Sequence, residues 1–115
     1  GRSCGIDLQK ISPKLPDLTS RFTSSKEISL LAHLLPDLDQ ATLLTMIWTA
    51  KETVKKSILH DQPAIFSGIT VQQISGQNHG QYLLSCQVKG YPGLQAVKVH
   101  ICPPYVFAVT EECHA

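Results

Sequence analysis

The sequence lacks a charge of one sign. Ten Lys and Arg residues face nine Asp and Glu, a net +1 over 115 residues. That field is too weak to argue for DNA or RNA as the main partner. Long hydrophobic runs are missing too. The longest falls far short of the roughly 18 residues a membrane span needs, so no transmembrane helix is expected. There is no Gly-rich phosphate loop, no Gly-x-Ser-x-Gly and no His-Glu-x-x-His. Their absence removes the common nucleotide, hydrolase and metalloprotease readings. The acids are spread thinly, and no carboxylate pair is forced together. Gly1 to Gly5 holds no apolar h-region, so no signal peptide is expected there.

Cysteine pairs of the Cys-x-x-Cys kind are also absent. Cys4, Cys86, Cys102 and Cys113 are widely spaced, and at this length a core forms without staples. Reduced thiols in an intracellular protein are expected, with a secreted, disulfide-stabilised binding domain as the alternative.

What is present is 43% hydrophobic, near the globular average, which suits one folded domain. Residues 1–22 read as an extended N-terminal arm, because Pro13 and Pro16 interrupt any helix. Residues 23–115 read as a single α+β domain. Ser24-Ser25-Lys26-Glu27 fits a capping box, with Ser24 as N-cap and Glu27 reaching back. Ile28, Leu31, Leu34 and Leu35 follow at helical spacing, and Leu35-Pro36 ends that short helix. A long helix starts at Asp37, with Gln40 as a second box partner. Its inner stripe is Leu43, Ile47, Ala50, Val54 and Ile58. Lys51, Lys55 and Lys56 take the opposite side, with Glu52 four residues before Lys56 in the favourable order. His60 lies near the last carbonyls, and Asp61-Gln62-Pro63 closes the helix.

From Ala64 the period becomes two. Tyr91-Pro92-Gly93-Leu94 suits a type II turn. A reversal there pairs Val88 with Val97, Cys86 with Val99 and Leu84 with Ile101. Tyr82, Leu84, Cys86, Val88, Val97, Val99 and Ile101 then share one buried face. Pro103-Pro104 interrupts the ladder, and Tyr105–Val109 resumes as a last strand. The expected fold is α+β, a two-layer sandwich: a short and a long helix, then a four-stranded antiparallel meander.

The candidate sites are modest. A Cys–His nucleophile is available from the residue counts but is assembled by no spacing. His100 and Cys102 share a strand face, and Cys113 and His114 could complete a zinc set, but the spacing fits no usual ligand pattern. No metal and no cofactor are expected. Cys86 reads as a small buried hydrophobe. Leu31-Ala32-His33-Leu34-Leu35 is an LxxLL run, which either faces its own core or docks in a partner's groove. The lysines lack the aromatic ladder that single-strand binding requires.

Lys26–Asp37 resembles the opening helix of the RWD family, relatives of the ubiquitin-conjugating fold. Leu83–Gly93 resembles that family's second strand running into a Tyr-Pro element, with Val97 to Ile101 as the next strand. The resemblance implies a non-catalytic interaction module. No His-Pro-Asn element precedes a catalytic cysteine, so conjugating activity is not implied.

The reading is therefore a non-enzymatic adaptor within a larger assembly. Ile11, Leu15 and Leu18 of the arm, with Leu31, Leu34 and Leu35 of the first helix, are the expected contacts to another protein. A homodimer is one form of that contact; nucleic acid and membrane are not expected partners. One alternative is a small-ligand or enzymatic cone of helix and sheet, its pocket lined by Trp48, Tyr82, Tyr105 and Phe107.

Overall fold

A computed structural model describes residues 5–13, 22–58, 68–76 and 79–110. The class is α+β, in two layers. Helix α1 spans Ser25–Leu34 and helix α2 spans Gln40–Ile58; the strands are β1 (Ile6–Lys10), β2 (Ile69–Gly76), β3 (Gln81–Val88), β4 (Leu94–Cys102) and β5 (Tyr105–Thr110). They form one antiparallel sheet in the order β1-β5-β4-β3-β2. The meander of β2 to β5 matches the expectation, but the sheet has five strands. The extended N-terminal segment supplies the fifth, pairing Ile6 with Val109 and Leu8 with Phe107.

Helix α1 begins as its residues require. The Glu27 N–H donates to the Ser24 hydroxyl at 3.3 Å, and the Ser24 N–H donates to Glu27 Oε1 at 3.2 Å. The helix stops at Leu35, before Pro36. Helix α2 starts later than its pattern suggests. Asp39, not Asp37, caps it, accepting from the Thr42 N–H at 2.8 Å. The Thr42 side chain and N–H together hold the Asp39 carboxyl below its ordinary value. Leu43, Ile47, Ala50 and Val54 are buried as expected. The stripe Thr45, Thr49 and Thr53 is buried too. Each hydroxyl donates to the carbonyl four residues back, so no polar group is stranded.

The sheet presents Leu84, Cys86, Val88, Val97, Val99, Val106 and Ala108 to the helices. The faces follow the expected alternation, but the register does not. Residue pairs of β3 and β4 sum to 181, as in Leu84 with Val97, where a reversal at Pro92-Gly93 requires 185. The turn lies earlier. The Tyr91 N–H donates to the Val88 carbonyl at 3.0 Å, and Gly90 takes φ +87 between them. A slip of four keeps every side chain on its face. Burial pushes the Cys86 thiol up to about 12, with nearby Lys51 opposing and Glu27 adding to the shift. His60 and the closing Asp61-Gln62-Pro63 lie outside the described residues.

Candidate functional site

Strand β1 carries the unusual chemistry. Its alternation is inverted for a strand packed under a helix. Ile6 and Leu8 face out, 53% and 59% exposed, while Asp7 faces in, buried. A buried carboxylate on a strand beneath a helix breaks the local pattern, and such breaks concentrate at functional sites. Asp7 survives there because it is paired. Lys56 Nζ stands 2.7 Å from its Oδ1, and Gln9 Nε2 donates to its Oδ2 at 2.9 Å.

Gly5 brings strand and helix this close. A Cβ at that position would overlap the Thr53 carbonyl oxygen of α2. The main chains of β1 and α2 are therefore in direct contact two residues before Asp7. The Gly5 carbonyl accepts from the Thr110 N–H at 3.0 Å, which fixes the strand to β5.

The helix supplies the cations. Lys56 also donates to the Ile6 carbonyl at 3.3 Å. Its side chain remains 49% exposed, so two of its three donors serve β1 while the ammonium still meets solvent. Glu52 lies one helical turn before Lys56. The expected Glu52–Lys56 pair gives way to Lys56–Asp7, and Glu52 stands 3.9 Å from Lys55 instead. The seam between β1 and α2 thus gathers Asp7, Gln9 and Lys56, with Glu52 on the adjacent turn of α2. A half-exposed lysine held in this way can meet an anion as a point charge. Among the described residues, no three His, Cys, Asp or Glu side chains group to hold a metal ion.

Lys51 departs most from its expected place. It is 1% exposed rather than solvated. Its Nζ stands 2.8 Å from Glu27 Oε1 and 2.7 Å from the Phe22 carbonyl. Glu27 Oε2 accepts the Val71 N–H of β2 at 2.7 Å. A cavity of about 290 Å³ opens beside this pair, lined by Ser24, Lys26, Leu30, Thr70 and Gln72 among others. Both Glu27 oxygens are already engaged, so the cavity offers no free carboxylate.

The residues expected to meet a partner are scattered. Leu31 is fully buried, and Leu34 is 46% exposed. Leu35 and Ile11 are half-buried and pack against the core. Leu15 and Leu18 lie outside the described residues, as do Cys113 and His114. His100 faces the Phe107 ring, 6.1 Å between centroids. Tyr105 and Phe107 are exposed on the sheet face away from the helices, and Trp48 packs edge-on against Phe22. The four aromatics expected around a cone pocket therefore do not converge. Asp7, Gln9 and Glu52 were not expected as site residues. The one signal for Asp7 was the alternation of Ile6-Asp7-Leu8-Gln9, which does not say which face is inside.

A family model described as the 4'-phosphopantetheinyl transferase superfamily matches residues 3–110. No curated protein matches the chain. The family match overturns the RWD resemblance. A capped helix and a hairpin, which carried that resemblance, are elements that many α+β folds share. It equally overturns the non-catalytic adaptor and the expectation of no enzymatic role, because members of this superfamily attach phosphopantetheine to carrier proteins. The alternative of an enzymatic helix-plus-sheet domain fits better, and a protein partner is retained. No helix among the described residues is long and apolar enough to cross a membrane.

Proposed function

The chain belongs to the 4'-phosphopantetheinyl transferase superfamily, and from that premise we propose that it transfers a 4'-phosphopantetheine group to a carrier protein at the seam between β1 and α2. The observation that carries this reading is Asp7. It is buried on the helix-facing side of β1, with the half-exposed Lys56 ammonium 2.7 Å away.

The chemistry asks little covalent work of the protein. A phosphorus–oxygen bond forms to an acceptor hydroxyl of the carrier, and the one to the donor's leaving group breaks. The hydroxyl proton departs to a base. Catalysis is then positioning and charge stabilisation. Lys56 offers a cation to the phosphoryl oxygens. Asp7 and Gln9 aim Lys56, and Glu52, one helical turn before Lys56 and less buried than Asp7, is the carboxylate that takes the proton. Both Asp7 oxygens are engaged, by Lys56 and by Gln9, so as they stand the described side chains do not form a cation site, and charge stabilisation rests on the lysine.

The test mixes the purified chain with coenzyme A and a carrier protein and weighs the carrier by mass spectrometry. One phosphopantetheine adduct per carrier, lost in Asp7→Ala, supports the reading. An unmodified carrier at stoichiometric enzyme refutes it.

Two finer points accompany the proposal. The free thiols of Cys86 and Cys102 support an intracellular setting. The outward apolar residues Ile6, Leu8, Tyr105 and Phe107, neighbours across β1 and β5, support self-association through that face. Sedimentation equilibrium of wild type against Leu8→Lys reads it out.

A further inference from the structure

We propose that Glu27 is a positioning residue for the transferase site: through Lys51 it sets the roll of α2 that presents Lys56 to Asp7. The inference rests on the site reading above, but its test is arranged to stand apart from it.

Glu27 joins three elements. It caps α1 through the Ser24 N–H, and it accepts from the Thr23 hydroxyl at 3.0 Å. It binds the edge strand β2 through the Val71 N–H, and it binds α2 through Lys51. Lys51 is anchored a second time on the Phe22 carbonyl. Both side chains are almost fully buried. A buried ion pair is a poor way to gain stability, since apolar residues of equal volume often do as well. What it supplies is direction: Lys51 reaches both of its acceptors only at one setting of α2.

The opposite anchor is Lys56. Strands β1 and β2 are the two edges of the sheet. Lys51 ties α2 to the β2 edge through Glu27, and Lys56 ties it to the β1 edge through Asp7. Five residues of helix place the two lysines about 140° apart around the axis and ~7.5 Å along it. Freeing Lys51 lets the helix roll about the contact at Gly5. A roll of about 20° moves a side-chain tip at ~6 Å radius by about 2 Å. Displacements of that order cost ~10²-fold in rate when reacting groups must be aligned.

The experiment is a double-mutant cycle with a spectroscopic arm. Glu27→Gln is made in the wild type and in Lys56→Ala, and carrier modification with coenzyme A is measured below the melting temperature of every variant. Glu27→Gln lowers kcat about 10- to 100-fold with little change in KM. In the Lys56→Ala background the same substitution costs less than about 3-fold, because the group it positions is gone. Equal losses in both backgrounds overturn the proposal, since a purely structural role ignores Lys56. The second arm needs no activity. Amide shifts of Ile6–Lys10 are compared by nuclear magnetic resonance in wild type and Glu27→Gln. They move if the roll of α2 is transmitted to β1, although Glu27 sits at the other edge. Unmoved β1 shifts in a folded variant overturn the link even if the chain shows no transferase activity. Should Glu27→Gln fail to fold, Glu27→Gln/Lys51→Met, which leaves no buried charge, takes its place in both arms.

Discussion

Lys51 and Lys56, five residues apart on one helix, anchor it to opposite edges of the same sheet: Lys51 through Glu27 to β2, Lys56 through Asp7 to β1. One lysine is sealed in the interior and the other is half in water. That difference separates what each contributes, and the predictions follow it.

Lys56→Ala removes chemistry and also weakens the fold. Carrier modification falls about 10²-fold. The Lys56 end of the pair is half in water, but Asp7 is buried and keeps only Gln9 as a partner, so the urea midpoint of Lys56→Ala falls, by less than that of Lys51→Met.

Lys51→Met costs the fold more. It leaves the Glu27 carboxylate buried without its cation, at a cost of about 3–5 kcal/mol. Adding Glu27→Gln restores much of the loss, because the stranded charge goes too. Urea melts of the two single variants and the double variant give the comparison, and a double variant no better than Lys51→Met contradicts it.

Asp39→Ala removes the α2 cap and costs about 1 kcal/mol at neutral pH. The Asp39 carboxyl is held below its ordinary value of 3.8 by Thr42. A depressed carboxyl stabilises the fold above its unfolded value and loses that contribution as the pH falls through the folded one. The gap between wild type and Asp39→Ala therefore narrows below about pH 4. Thermal melts at pH 7, 4 and 3 follow it.

Thiol labelling distinguishes the two described cysteines. Cys102 is exposed, whereas Cys86 is buried with its thiol pushed up to about 12. At pH 8 a disulfide reagent reacts with Cys102 within the mixing time of an ordinary assay. Cys86 reacts at the rate of unfolding, or on addition of denaturant.

Much of the scaffold was legible because its signals are local. The Ser24–Glu27 box needs four residues, and the α2 stripe needs one helix. The alternation of β3 and β4 survives even a misjudged turn, because a slip of four restores every face. The seam was illegible for the opposite reason. Ile6-Asp7-Leu8-Gln9 alternates plainly, but only the docking of α2 decides that the carboxylate side is inside. Lys51 reads as a solvated lysine until Glu27, 24 residues away, is brought to it. Pro13 and Pro16 point to an extended arm, and nothing local marks Ile6–Lys10 as a strand of the sheet. The RWD resemblance rested on a helix and a hairpin, neither of which carries the seam.

The backbone contact at Gly5 has a consequence for how this protein tolerates change. Because main chain rests on main chain there, the setting of β1 is inherited from a bare spot with no side chain to negotiate. An outward position such as Lys10 can be repainted without disturbing the neighbouring acid. One added methyl at position 5 would wedge the two elements apart, although it lies outside the reacting groups and brings no charge of its own.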